Sequence, residues 1–530
     1  MVLGLWQGEL ASLDNAVSLG MEARGSPSRP SPATTWAAPT ASGSLAMANI
    51  MAGEKIRKDQ GAGPVALTRV QGTFSRMRVY RNVHLIYCRS QWLPCILFIV
   101  SLLACICFLP DPFRWCSWTT PITLLQSLFS FIKMVTGGVV ARALYYLSSG
   151  ITERADSATY KQNTVAAVKT LQSWYNGNTG LWDTTGWWNS GNIFTTLGDF
   201  SSVASGDANN LGIAGILSNT FRNAQKSTFS AKKTLSESFM ITTTYTKVAG
   251  RDLTARGFSG FLNEFYDDEG WWALGLLRAF DVTRDVGYLD MAQHIFEDMK
   301  NGTDNTCGGG IWWSKERKYK NAIANELYLS AAAGLANRAP DAGKKAYYLD
   351  IARKQWAWFK NSGMINSQRL INDGLNIKPD GSCVNNGANT WTYNQGVVLG
   401  GLVELARASP GDASSLLSDA TSIASAAIKG LSSNGILHEV CDSEAGGCGA
   451  DGSQFKGIFM RNLGYLNRAA PQDAFRAFIK ANADSIWTNA RTGDNKLGLN
   501  WAGPPNAGGG PQAGTHSSAM DTLVAAIAVA

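Results

Sequence analysis

Three acids stand side by side in NEFYDDEGWWALGLLRAFD, residues 263–281: Asp267, Asp268 and Glu269, followed at once by Trp271 and Trp272. Like charges this close repel, so the two aspartates resist ionising together and divide into one carboxylate and one carboxylic acid. That division suits a nucleophile paired with a general acid/base, the equipment for breaking a glycosidic bond. Adjacent side chains also reach the separation of roughly 5–5.5 Å that a retaining mechanism uses. The bland alternative is that one acid caps a helix beginning near Glu269 while the others are solvated. Tyr266 on one side, the tryptophan pair on the other and the apolar stretch after them weigh against it. Glu269 itself reads as a helix-start charge.

Eighteen tryptophans are many for 530 residues, and they cluster as Trp187–Trp188, Trp271–Trp272, Trp312–Trp313, Trp356 and Trp358. Indole faces among Gly, Asn and Asp suit the C–H face of a pyranose, with amides and carboxylates left for its hydroxyls. Rival chemistries lack their residues. A DDxxD diphosphate motif needs an acid where Trp271 stands, GFSGF places Ser259 one residue off a nucleophile elbow, and neither HExxH nor a P-loop occurs. Without CxxC or clustered histidine no zinc is expected, and no cofactor. His294, His438 and His516 read as structural.

The elements that must position these residues are helical. Apolar spacing of three and four predicts helices at 160–175, 191–205, 210–224, 270–283, 287–299, 322–337, 344–361, 394–408, 413–430, 456–468, 472–487 and 517–529. Only SFMITTTYTKVAG, 238–250, is β-branched enough to be ambiguous. Segments apolar on all sides alternate with amphipathic ones, which favours an all-α, double-layered α/α barrel over a bundle or solenoid. Residues 1–92 are low in complexity and basic and read as disordered; 93–109 carry no charge and read as a membrane anchor; 110–154 read as a linker; and the barrel spans 155–530. Residues 1–150 hold 13 Lys+Arg against 6 Asp+Glu, and the rest 34 of each, so the barrel has no net charge to recruit nucleic acid. A monomer is expected. Cys441 and Cys448 bracket a loop that a disulfide could close, leaving Cys307 and Cys383 as the other possible pair. Asn301 heads a glycosylation sequon, which with paired cysteines points to the secretory pathway, the membrane or the cell wall.

The blocks GWWNSGNIFTTLGDF, FLNEFYDDEGWWALGLLRAFDVT, GGGIWWS, YKNAIANELYLSAAAGLA, WTYNQGVVLGGLVEL and QFKGIFMRNLGYL, in this order over about 155–529, resemble glycoside hydrolase family 76, the α-1,6-mannanases of bacteria and fungi. The resemblance implies an (α/α)6 barrel and retaining, endo-acting hydrolysis of α-1,6-mannan or another mannose-containing glycan, with Asp267 as nucleophile and Asp268 as acid/base. It also implies substrate contacts from Trp188, Asn192, Trp272, Asn325, Tyr393, Asn394 and Gln395. Tyr393, Asn394 and Gln395 would line the −1 subsite, although Asn394 and Gln395 could equally cap their helix. Lys456 could contact sugar or close a loop. Two further activities stay open: a transglycosidase acting on the mannose of glycolipid anchors, and a non-catalytic carbohydrate-binding wall protein.

Overall fold

The computed structural model describes residues 156–226, 229–235, 241–247, 260–442 and 447–530, so the predicted disordered, anchor and linker segments lie outside the described residues. Among the described residues no helix is long and apolar enough to cross a membrane.

Twelve helices of twelve residues or more run through these residues: α1 (156–171), α2 (Trp187–Val203), α3 (Ile213–Ala224), α4 (Tyr266–Thr283), α5 (Val286–Lys300), α6 (Ala322–Arg338), α7 (Ala342–Asn361), α8 (Thr392–Ala408), α9 (Ala413–Gly430), α10 (Phe455–Ala469), α11 (Asp473–Asn489) and α12 (Ala513–Val529). The even-numbered helices form a closed ring, α2 on α4, α4 on α6, α6 on α8, α8 on α10, α10 on α12 and α12 back on α2. Odd-numbered helices lie outside it. The two layers have the side chains their positions require. α6 and α12 are buried on every face, including Ala331–Ala333 and Ala525–Ala526, whereas α5 and α7 bury one stripe and expose the rest. This is the double-layered ring of six helical hairpins that the alternation predicts.

All six inner helices point the same way. At one mouth Asn189 of α2 donates to Gln454, just before α10, and Gln454 donates to Ser517 of α12. At the other, Arg278 of α4 pairs with Asp199 of α2 at 2.7 Å, and Arg338 of α6 bridges Asp281 of α4 and Glu404 of α8. Six helix N-termini, with their unpaired amides and positive dipole ends, therefore converge on the first mouth.

A shared device fixes the loops there. The fourth residue of five inner helices accepts a buried loop N–H: Ser190 from Trp182, Glu269 from Asn263, Asn325 from Ile311, Gln395 from Ile371 and His516 from Leu497, at 2.8–3.2 Å. A buried N–H must find an acceptor, and one polar side chain in an otherwise apolar turn supplies it. His516 donates from Nε2 to the Ala167 carbonyl, and burial lowers its pKa to about 4. The neutral ring belongs to the folded state, so stability is lost as pH falls through the ordinary histidine range near 6.5 toward 4, by on the order of 3 kcal/mol. Gln395 does the same work without a titrating group. His516→Gln is therefore expected to fold, and urea unfolding at pH 7 and pH 4.5 should show a smaller acid loss than the wild type. An equal acid loss in both proteins refutes the assignment.

Among the described residues, four antiparallel two-stranded ribbons decorate the ring: β1 (Tyr175–Asn176) with β2 (Leu181–Trp182), β3 (Phe229–Leu235) with β4 (Ile241–Lys247), β5 (Leu375–Ile377) with β6 (Cys383–Asn385), and β7 (Ser432–Ser433) with β8 (Ile436–Leu437). The ambiguous stretch 238–250 is thus a strand over 241–247, and its partner β3 is an element the periodicity did not reveal. Both disulfides form, Cys307–Cys383 and Cys441–Cys448. Asn301 of the sequon is exposed at the end of α5.

Three inner helices begin four residues earlier than their apolar pattern predicts: α2 at 187, α4 at 266 and α12 at 513. Asp267 and Asp268 consequently lie inside the first turn of α4 and not ahead of it. These turns (WWNS, YDDE, AGTH) hold polar and aromatic side chains buried at the mouth, and neither Gly186 nor Phe265 caps its helix with a side chain. In α2 and α4 the usual start signals are absent, whereas α12 carries a capping box between Gln512 and Thr515.

Candidate active site

The first turn of α4 is packed so that its acids cannot hydrate. Asp267 is 4% exposed, and Asp268 and Glu269 are fully buried. Asp267 Oδ2 accepts from Trp313 Nε1 at 3.0 Å and from Lys233 Nζ at 2.9 Å. Asp268 Oδ1 accepts from the same Lys233 Nζ at 2.5 Å, and its Oδ2 from Asn263 Nδ2 at 2.7 Å. The two Lys233 distances bound the separation of the bonded carboxylate oxygens at 5.4 Å. Burial pushes the Asp268 carboxyl up; Lys233 pulls it back, Asp267 pushes it up again, and the balance stands at about 7. The two acids are thus chemically distinct: one sits close to half-protonated at neutral pH, while the other keeps an oxygen, Oδ1, with no partner.

Glu269 accepts from the Asn263 amide and from Lys315 at 2.7 Å and points away from this pair into the loop clamp. It is a helix-start group, as its neighbours in sequence suggest.

An aromatic and amide wall surrounds the aspartates. Trp188 stacks on Trp271 with centroids 5.3 Å apart and donates to Asp451 at 2.7 Å. Tyr393 stacks on Phe455 at 3.8 Å, and its hydroxyl has no partner. Burial raises its pKa well above the usual value, with Asp373 and Asp267 adding to the rise, which places that hydroxyl on the acid side of the mouth. Both amide atoms of fully buried Asn394 are also unpartnered. Asp373, bonded by Tyr319 at 2.5 Å, is raised to about 6 by burial. Trp188, through Asp451, and Tyr393 therefore stand near the aspartates, while Asn394 is buried beside Tyr393 at the start of α8.

Four other candidates are placed differently. Asn325 and Gln395 are loop clamps, each bonded at both ends of its amide, Asn325 to Ile311 and Asn321 and Gln395 to Ile371 and Trp391. Trp272 lies between α2 and α4 against Trp187, Phe194 and Phe261, in apolar core. Asn192 is deeper in the ring, its carbonyl oxygen held by Arg461 and its NH2 without a partner. Lys456 closes a loop, donating to Asp442 and to the Leu499 carbonyl.

Sequence reasoning missed Lys233, Asn263, Asp373 and Asp451, and it took Trp313 for a stacking indole and not for a donor to Asp267. Asn263 and Trp313 stand in blocks that were already conspicuous, NEFYDD and GGGIWWS; Lys233, in KSTFSAKKTL, carries no signal of its own. Trp313 depends in turn on Lys320. The Lys320 side chain is fully buried, and its Nζ donates to Asp304 Oδ1 at 2.9 Å and to the carbonyls of Thr306, Gly309 and Gly310 at 2.7–3.1 Å, gathering the loop that ends in Trp312 and Trp313. No cluster of His, Cys, Asp and Glu able to hold a metal occurs among the described residues.

Comparison with known proteins gives a consistent picture. The model of glycosyl hydrolase family 76 matches residues 159–529. Mannan endo-1,6-alpha-mannosidase DFG5 of Saccharomyces cerevisiae is 30% identical over 262 residues, 46% of this chain and 55% of that protein; DFG5 of Candida albicans is 26% identical over 347 residues, 62% and 70%. The chain thus spans about half the length of the first of these relatives. Among solved structures, an inactive variant of the α-1,6-mannanase GH76A of Salegentibacter sp. HEL1_6, with two consecutive aspartates replaced by asparagine and α-1,6-mannotriose bound, superposes with a TM-score of 0.57 at 20% identity, over 70% of this chain and all of that one. Dfg5 of Chaetomium thermophilum in complex with glucosamine gives 0.56 at 17%, over 70% and 90%. At these identities the likeness is one of fold.

Proposed function

This chain belongs to glycosyl hydrolase family 76, and we propose that it hydrolyses α-1,6-mannosidic linkages within mannan with retention of configuration. The observation that carries the proposal is the tandem at the start of α4: two buried carboxylates whose bonded oxygens are no more than 5.4 Å apart, with burial raising the Asp268 pKa to about 7. An inverting pair must stand roughly 6.5–9.5 Å apart to admit a water between carboxylate and sugar, so the shorter spacing supports direct attack. Asp267, with its free Oδ1, attacks the anomeric carbon. Asp268 protonates the departing oxygen and then, as the base, activates the water that releases the sugar. Trp188 and Trp271 offer a ring face, and the unpartnered groups of Tyr393 and Asn394 offer hydrogen bonds to hydroxyls. Two disulfides and an exposed sequon support a working place reached through the secretory pathway, at the cell surface or wall.

The test is to follow fresh α-1,6-mannan digests by proton NMR. The first reducing ends should carry the α configuration and relax afterwards to the anomeric mixture. Initial β-anomer would overturn the assignment of Asp267 as nucleophile. Adding glucan oligosaccharides to the same digest separates hydrolysis from transfer, since a transglycosidase would yield mannosyl–glucan products in place of free reducing ends.

A further inference from the structure

The described residues place one cation against both aspartates, and it comes from outside the ring. β3 and β4 pair Lys233 with Thr243 and Ala231 with Tyr245, and the alternation of a strand turns these four toward the mouth while Lys232, Thr234, Thr242 and Thr244 face solvent. The Lys233 side chain is 2% exposed and fills the space between Asp267 and Asp268, its ammonium also 4.7 Å from the Phe265 ring centroid and 5.5 Å from that of Trp313. Asp267 is 4% exposed and its unpartnered Oδ1 is buried, while both oxygens of Asp268 are bonded, Oδ1 by Lys233 and Oδ2 by Asn263. An attacking carboxylate must come within about 3–3.5 Å of the anomeric carbon, so the pair as it stands is closed to a sugar, and Asp268 has no unbonded oxygen to carry a proton while the lysine is there.

We propose that the β3–β4 ribbon is a gate over the catalytic pair and that Lys233 is its latch, a positioning residue whose withdrawal admits the sugar and lets Asp268 take up the proton used in the acid step. The inference rests on the reading of Asp267 and Asp268 as the catalytic pair. Charge bookkeeping supports it: Lys233 supplies one positive charge to two carboxylates, and when it leaves, a proton from solvent restores the balance at Asp268. Other titratable groups facing the lysine are Asp451, from the turn before α10, and Tyr245 on β4, while Asp373 and Tyr393 face Asp267 from the far side. None of these offers a second cation to hold Asp268 ionised once Lys233 has gone. Burial alone would lower the lysine's own proton affinity, but Asp267, Asp268 and Asp451 outweigh it and raise it, so the latch leaves as an ammonium.

The ribbon is built to open. A two-stranded sheet is marginal on its own, and Lys233 is one of several polar ties that hold this one to the mouth. Ser230 Oγ and the Ala231 amide donate to Glu264 at 2.7 and 3.0 Å, and Thr243 Oγ1 donates to Asp451 at 2.6 Å. The ribbon also packs Ala231 and Tyr245 with Phe265 and Trp313, a patch small beside the core of the ring, so detaching it leaves the helices intact.

The experiment compares the full-length wild type with Lys233→Met and Lys233→Arg. Backbone hydrogen exchange, with no sugar present, should be at least tenfold faster over 229–235 and 241–247 in Lys233→Met, with α4 and α6 amides unchanged. In kcat/KM against pH on α-1,6-mannan, activity falls as pH rises and Asp268 loses its proton. Lys233 favours the ionised form, so removing it should move that fall upward by about one pH unit, and Lys233→Arg, which keeps the charge, should leave it in place. Unchanged exchange of the ribbon overturns the gate, and an unmoved pH fall overturns the proton coupling. Absence of mannan hydrolysis in the wild type counts against the proposed function, and the exchange result still decides the gate.

Discussion

Asp267→Asn and Asp268→Asn are each expected to lower kcat on α-1,6-mannan by at least about 10²–10⁴-fold, the range that loss of a positioned proton-transfer group commands, with loss of the nucleophile at the upper end. The pH dependence tells the two apart. Asp268 must be protonated to act as acid, so wild-type activity should fall as pH rises through about 7. In Asp268→Asn the residual activity should lose that fall, and in Asp267→Asn it should keep it. Folding is not at stake. Burial raises the Asp268 pKa above its unfolded value, so at neutral pH its charge disfavours the folded state, and Lys233 retains Asp267 and Asp451 as counter-charges in the asparagine variant. Melting temperatures close to that of the wild type should accompany the loss of turnover. Near-normal hydrolysis by either variant would remove that residue from the mechanism.

Lys320→Met should be the most damaging substitution outside the pair. A buried ammonium that holds one carboxylate and three carbonyls cannot be replaced by an apolar chain without stranding its acceptors, at a cost of about 3–5 kcal/mol. Asp304 is 29% exposed and can rehydrate, which favours the lower end. A fall in Tm of roughly 5–10 °C is expected by calorimetry. Activity should drop as well, by about tenfold, because the loop Lys320 gathers delivers the indole that donates to Asp267. A Tm within a degree or two of the wild type would show that the loop is held by the Cys307–Cys383 bond and not by the lysine.

The architecture was legible wherever helices have a repeating apolar stripe. α5, α7 and α9 appear in the sequence almost to the residue, because each buries one face and exposes the other. The acid tandem stood out because two acids beside two tryptophans have few structural explanations, and the fold buries both acids in the first turn of α4. Two kinds of feature were hidden. Asn325 and Gln395 have the side chains a sugar site would use, and only the fold reveals that their amides are consumed by Ile311 and Ile371. Lys233 is one lysine among several in a short polar strand; its meaning lies in the cross-strand register that aims it at residues 34 and 35 positions away. Local pattern reports which face of an element is apolar, not what a distant ribbon brings to it.

The seam between α2 and α12, tied by Thr196 and Asp521 at 2.7 Å, joins residues 325 positions apart. A nascent chain emerging from the ribosome therefore carries an open arc of five inner helices whose two end flanks, on α2 and α10, stay unmated until the sixth has been made. Those greasy flanks are a standing invitation to self-association, and a chaperone shielding α2 and α10 through that interval would govern yield more than any single contact in the finished enzyme.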